Sequence, residues 1–148
     1  QPYALTLSRD GKTLWVGCFE SGELRGFDTA TMAAVADYDL GGAALFGTEL
    51  EDGRFAIPVQ APDALAFINP SEPLSPPTII PLEPASCVSP HVVAVRDNKL
   101  LLVCEGDRVS PGTFVVLDLE GRVEHVVPVG LYPDDLAVLP RQPTAGVP

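Results

Sequence analysis

Short apolar runs divided by polar turns recur along the whole chain. In the opening stretch, PYALTLSRDGKTLWVGCFESGELRGFD, three such runs are separated by the turns DGK and ESGE between Pro2 and Asp28. Runs of this length, with side chains alternating in polarity, predict strands that bury one face. The same pattern returns. QPYALTLSRDGKTL has a counterpart in SPHVVAVRDNKLLL, and a third begins in YPDDLAVLP. Pro2 and Pro90 lie 88 apart, two units of 44, and Pro133 follows 43 later. A middle copy is therefore expected near residue 45. ALFGTELEDGRFAIPV stands there, with Asp52-Gly53 in the place of Asp10-Gly11, but its proline and much of its alternation are missing.

Each unit predicts four strands. In the first they fall near Tyr3–Ser8, Thr13–Phe19, Leu24–Asp28 and Ala33–Leu40; in the second near Leu45–Leu50, Arg54–Val59, Ala64–Asn69 and Thr78–Leu82. The third gives His91–Arg96, Lys99–Glu105, Thr113–Leu119 and Val123–Val129. Asp10-Gly11, Asp52-Gly53 and Asp97-Asn98 supply hairpin turns, because these residue types tolerate positive φ. Asp28, Asn69 and Asp118 each end a third strand. TATMAAVADY is the one stretch where a helix rivals a strand, on alanine content alone. Four strands in roughly 43 residues is the spacing of a propeller blade. The expected fold is all-β: a β-propeller fragment of three four-stranded antiparallel blades, residues 1–42, 43–84 and 85–130, plus the first strand of a fourth at 131–140. Residues 141–148 read as a linker or cut end.

The first unit, PYALTLSRDGKTLWVGCFESGELRGFDTATMAAVADYDLGG, resembles the YVTN-type β-propeller repeat of bacterial surface and periplasmic proteins. The shared features are a proline opening strand one, S-x-DGKTL, the aromatic-Val step at Trp15-Val16 and the FDTAT turn. The likeness is strong in unit one, fair in unit three and weak in the proline-rich unit two. It implies a periplasmic or cell-surface setting and specifies no chemistry, since propellers host many unrelated functions.

Composition narrows the field. The sequence is 46% hydrophobic and 20% charged over 148 residues, as expected of a folded domain rather than a disordered chain. Its net charge of −11 would repel a phosphate backbone, so no nucleic-acid partner is expected. No apolar run is long enough to form a membrane-spanning helix. Propellers usually close with roughly four to eight blades. Three blades alone would expose apolar faces, so the expected partner is the remainder of a longer propeller or another copy of the chain.

Hairpin arithmetic places a candidate site. With Asp97-Asn98 as the turn, Arg96 pairs with Lys99 and His91 with Cys104; in unit one Ser8 pairs with Thr13 and Tyr3 with Cys18. Both open ends belong to the face that carries the loops between blades. Tyr3, Glu20, His91, Glu105, Asp134 and Asp135 are thereby expected around one channel mouth as candidate ligand-binding residues. No residue is assigned a catalytic role, and no metal or cofactor is assigned. The default roles are plainer: His91 a satisfied structural histidine, Asp134 and Asp135 solvated loop carboxylates, His125 exposed on an outer strand, Trp15 a wedge between blades. Cys18 and Cys104 read as small apolar strand residues in separate blades; an approach of Cys87, just before the third unit's first strand, to Cys104 is the lesser alternative to packing. Three cysteines do not form a disulfide framework; taken as free thiols, they argue against an oxidising compartment.

The pattern therefore points to a non-enzymatic propeller module that presents its inter-blade loop face to a protein or small ligand. The alternative is a portion of a propeller hydrolase or lyase, or of a cytochrome-c-associated electron-transfer protein, with its site at the channel mouth.

Overall fold

The computed structural model describes residues 1–139, and no helix occurs among them. Three antiparallel sheets follow one another along the chain. The first comprises β1 (Pro2–Leu7), β2 (Thr13–Cys18), β3 (Glu23–Asp28) and β4 (Ala34–Asp39), paired in chain order. The second comprises β5 (Ala43–Ala44), β6 (Thr48–Glu49), β7 (Phe55–Gln60), β8 (Ala64–Ile68) and β9 (Thr78–Pro81). The third comprises β10 (Pro90–Arg96), β11 (Lys99–Cys104), β12 (Pro111–Leu117) and β13 (Val123–Leu131), again paired in order. The three blades are all-β, as the alternation predicted.

TATMAAVADY forms a turn and then β4, not a helix. Asp28 decides this locally: its Oδ1 accepts hydrogen bonds from the Ala30 and Thr31 amides and from the Thr31 hydroxyl. Those amides are diverted from a helical ladder. The same device closes the third strand of the other blades. Asn69 Oδ1 accepts from the Ser71 amide and hydroxyl, and Asp118 Oδ1 accepts from the Glu120 and Arg122 amides.

The middle sheet explains its own weak repeat signal. β7 and β8 are buried along nearly their whole length. One face packs on blade one, where Phe55, Ile57, Val59, Ala64, Ala66 and Ile68 meet Trp15, Leu24, Tyr38 and Leu40. The other packs on blade three, where Ala56, Leu65 and Phe67 meet Val93, Leu100, Leu102, Val115 and Leu117. A strand buried on both faces needs no polar residue at alternate positions. Of its expected first strand, Leu45–Leu50, only Thr48–Glu49 forms, as β6; β5 precedes that range, and the two pair with β7 in registers one residue different from each other. Between them Phe46 turns from its own blade to bond the next. The Phe46 amide donates to the His91 carbonyl at 3.2 Å, and the Val93 amide donates to the Phe46 carbonyl at 3.0 Å. This parallel bridge fastens the innermost strands of blades two and three together.

Trp15 is the wedge between blades one and two. It is 2% exposed, with its ring centroid 5.4 Å from that of Phe55 and 6.2 Å from that of Tyr38. Gly26 on the neighbouring strand leaves room for it, since a Cβ there would lie 2.9 Å from the indole ring.

The free faces of the outer blades remain apolar. Leu5 and Leu7 on β1 are 61% and 56% exposed, and Val123, Val126, Val127 and Leu131 on β13 are also exposed. The fourth-blade strand expected at residues 131–140 is not formed in the described residues: Leu131 belongs to β13, and Tyr132–Leu139 pairs with no strand. A strand requires a ladder partner, and none is present for this segment among the described residues. The expected linker at residues 141–148 lies outside them.

Truncating Trp15 to alanine is expected to lower unfolding stability by about 3–5 kcal/mol, as for other buried aromatic deletions; a urea titration followed by circular dichroism measures it. The turn aspartates contribute to acid sensitivity. Hydrogen bonds from the Thr31 hydroxyl and amide hold the Asp28 carboxyl below its ordinary value, and the Arg122 amide foremost does so for Asp118. A depressed native pKa gives stability that is complete above the unfolded value and is lost as pH falls through the native one. Thermal melts are therefore expected to fall below roughly pH 4, and less steeply in the double variant Asp28→Asn, Asp118→Asn.

Candidate functional site

The open ends of the first hairpins in blades one and three carry one more residue than simple pairing allows. At the closed ends the register is as read: Arg96 faces Lys99, and Leu7 faces Leu14. At the open ends Cys18 pairs with Pro2, not Tyr3, and Cys104 pairs with Pro90, not His91. Tyr3 and His91 are the extra residues of two equivalent β-bulges. Proline lacks the ladder N–H and is favoured at such irregularities, and a bulge re-aims the side chain beside it.

His91 is consequently turned inward and is 4% exposed. Its Nδ1 lies 2.6 Å from Glu105 Oε1, with Glu105 itself 3% exposed, and its Nε2 lies 3.5 Å from Asp134 Oδ1. The Glu105 carboxylate stands off the line of the Nδ1–H bond, so this buried nitrogen makes no aligned hydrogen bond. The histidine thus lies between two carboxylates, with its Nδ1 lacking a hydrogen-bond partner. Phe46 and Tyr3 flank the imidazole, with centroids 5.4 and 6.1 Å away, Tyr3 edge-on. The Tyr3 phenol titrates above its ordinary range, through desolvation first and then through the charges of Asp134 and Glu105. At neutral pH it remains a hydrogen-bond donor.

Two depressions are lined in part by His91 and Tyr3. One, of about 230 Å³, is lined by Tyr3, Phe19, Gln60, Glu105, Arg108 and Tyr132 among others. The second, of about 260 Å³, is lined by Tyr3, Phe46, Val92, Asp134 and Asp135 with His91. Arg108 roofs the first: its guanidinium lies 4.9 Å from the Tyr132 ring centroid and 3.6 Å from Glu105 Oε2.

Of the six residues expected here, His91, Glu105, Asp134 and Tyr3 come together, and Asp135 borders the same cavity. Glu20 does not join them. It lines a separate depression with Phe19, Ser21 and Asp39. The ladder continues from Cys18 to Phe19, whose amide donates to the Gln1 carbonyl, as Glu105 does to Ser89. Phe19, not Glu20, therefore occupies the position of Glu105. Gln60, Phe46, Arg108 and Tyr132 were not anticipated. Only Gln60 had a sequence signal, since it directly follows the second strand expected in its unit. His125 is exposed on β13, as expected.

A disulfide holds the site. Cys87 and Cys104 are bonded, with Cα atoms 5.4 Å apart, and Cys18 is free. The expectation of three free thiols is corrected on this point. The segment before β10 extends the ladder beside β11, with the Glu105 amide donating to the Ser89 carbonyl and the Gly106 amide to Val88. That extension brings Cys87 within bonding reach of Cys104. The bridge ties the chain just before His91 to the residue just before Glu105.

The fold is that of a set of β-propeller blades, with a polar and aromatic cluster around His91. No family model matches the sequence, and no curated protein matches it. Solved structures do match in fold. The Cps50 (Swd1) β-propeller domain of Myceliophteria thermophila has a TM-score of 0.68 at 12% identity, covering 89% of this chain and 43% of that one. The dihydro-heme d1 dehydrogenase NirN in complex with DHE has a TM-score of 0.65 at 16% identity, covering 86% and 28%. BamB from Moraxella catarrhalis has a TM-score of 0.57 at 16% identity, covering 86% and 36%. The chain spans less than half the length of each of these structures.

Reducing the Cys87–Cys104 bridge, whose ends are 17 residues apart, is expected to cost about 3 kcal/mol, as for a closed loop of this size. Paired urea titrations with and without dithiothreitol test this. The Cys87→Ala variant should match the reduced protein and should no longer respond to the reductant.

Proposed function

We propose that this chain is the blade portion of a longer β-propeller, of YVTN-like repeat type, which binds a small ligand or a protein segment at its inter-blade loop face. The observation that carries this reading is the convergence of Tyr3, His91, Glu105 and Asp134 from two blades and the segment after β13 on one recessed mouth. Buried charge set beside exposed aromatic rings is the usual composition of a binding site. Most of the other acidic groups lie on the surface, where solvation suffices for them.

Further blades are the fitting partners for the apolar outer faces of β1 and β13, since the matched propellers are more than twice as long as this chain. A second copy of the chain would cover the same faces. An envelope or extracellular setting suits the disulfide, which persists in oxidising compartments, and agrees with the repeat resemblance.

A second reading, that of an enzyme portion, is favoured by the Glu105–His91 pair, which has the arrangement of an orienting carboxylate behind a general base. The dehydrogenase NirN among the matched structures makes a redox role the specific form of this alternative.

A fragment library screened by amide chemical shifts on the isotopically labelled chain separates the possibilities. Bound fragments are expected to perturb Tyr3, Gln60, His91, Glu105, Arg108 and Tyr132 together, and these perturbations should vanish in His91→Ala. Fragments clustering instead at the hairpin turns of the opposite face, around Arg9, Asp52 and Asp97, would sink the proposed site.

A further inference from the structure

We propose that His91 and Asp134 ligate a single divalent transition-metal ion of the zinc type, with Glu105 as the carboxylate that orients the imidazole. The inference rests on the reading of the channel mouth as the binding face and names the chemical class of ligand it takes. His91, Glu105 and Asp134 are the group of metal-capable side chains found among the described residues, with one donor atom from each lying within 4.8 Å of the others.

The distances assign the roles. Two donors bound tetrahedrally at about 2.1 Å from zinc stand roughly 3.4 Å apart. His91 Nε2 and Asp134 Oδ1 are 3.5 Å apart, so an ion fits between them with little adjustment. The 2.6 Å between Nδ1 and Glu105 Oε1 is too short for an ion to bridge. Glu105 instead stands on the Nδ1 side of the ring as an outer carboxylate, which leaves Nε2 as the nitrogen turned toward Asp134 and the metal.

Burial supplies the second argument. The imidazole is enclosed, and its Nε2 meets no group closer than Asp134 Oδ1 at 3.5 Å among the ion pairs of the described residues. Two carboxylates converge on this one imidazole, and Glu105 is buried with it. Arg108 approaches Glu105 only to 3.6 Å, and its side chain is 69% exposed. A divalent ion neutralises the cluster where it is needed. Asp134 is 67% exposed in its side chain, so the remaining coordination positions face the cavity shared with Tyr3 and Asp135, where water or a ligand oxygen completes the shell. One imidazole with carboxylate oxygens suits zinc, manganese or cobalt better than calcium, which takes only oxygen ligands.

Calorimetric titration of zinc into the tag-free, EDTA-treated chain tests the site. One equivalent is expected to bind, and both His91→Ala and Asp134→Asn should lower its affinity by more than tenfold. Asp134 is exposed, so its variant keeps the test valid if His91→Ala fails to fold. Glu105→Gln should weaken zinc roughly 10–100-fold, as for other outer carboxylates. Cobalt bound in its place should then show a shifted visible spectrum, which a purely structural role would not produce. Zinc binding that survives both ligand variants would be diffuse attraction to an acidic surface and would overturn the proposal. So would the absence of binding. If fragments still collect at the mouth in that case, only the metal assignment falls and the ligand-face reading stands.

Discussion

A four-stranded sheet with an apolar face is stable in water only when that face is covered, and the organisation of this chain follows from that constraint. Blade two is covered twice. Trp15 and its neighbours close one side, and Val93, Leu100 and Leu102 close the other. Because each blade packs on the next, the first strands of successive blades are brought side by side, close enough for Phe46 to hydrogen-bond directly to His91 and Val93. The cluster around His91 is a consequence of this stacking. Residues some 90 positions apart in sequence, such as Tyr3 and His91, become neighbours because equivalent strand positions in different blades face a common axis.

The site also depends on a local irregularity. In a regular ladder, neighbouring residues point to opposite faces of the sheet. At the bulge Pro90 and His91 are both buried, and the imidazole is turned between Glu105 and Asp134. The disulfide reinforces this arrangement. By fixing Cys87 to Cys104 it removes freedom from the two segments that present His91 and Glu105. A rigid inner pair of His91 and Glu105 is thus combined with an exposed carboxylate, Asp134, on a segment outside any sheet. That combination is suited to a site whose inner part is fixed and whose outer part adapts to what binds.

Much of the fold was legible in the chain itself. Asp97-Asn98 marked a tight turn because both residues adopt positive φ, 49° and 59°, and the pairing of Arg96 with Lys99 followed. Asp28, Asn69 and Asp118 marked the ends of third strands because each caps the next turn with its own side chain. These are contacts within a few residues, and local sequence carries them. Unit two was faint for the opposite reason. Its strands lost their alternation because both faces are interior, a circumstance that belongs to the neighbouring blades and not to the unit.

What the sequence alone determined was the strands of the first and third blades and their order, the turn positions, the repeat and, through hairpin arithmetic, the end of the sheets at which His91 and Glu105 meet. Tertiary structure decided the rest: the one-residue bulges at Tyr3 and His91, the bond between Cys87 and Cys104, the exclusion of Glu20, and the arrival of Phe46, Arg108 and Asp134 at the imidazole. The physical reason is range. Strand and turn signals are set by neighbours along the chain, whereas a bulge, a bridge and a cluster of charges are set by atoms that only packing brings within a few ångströms.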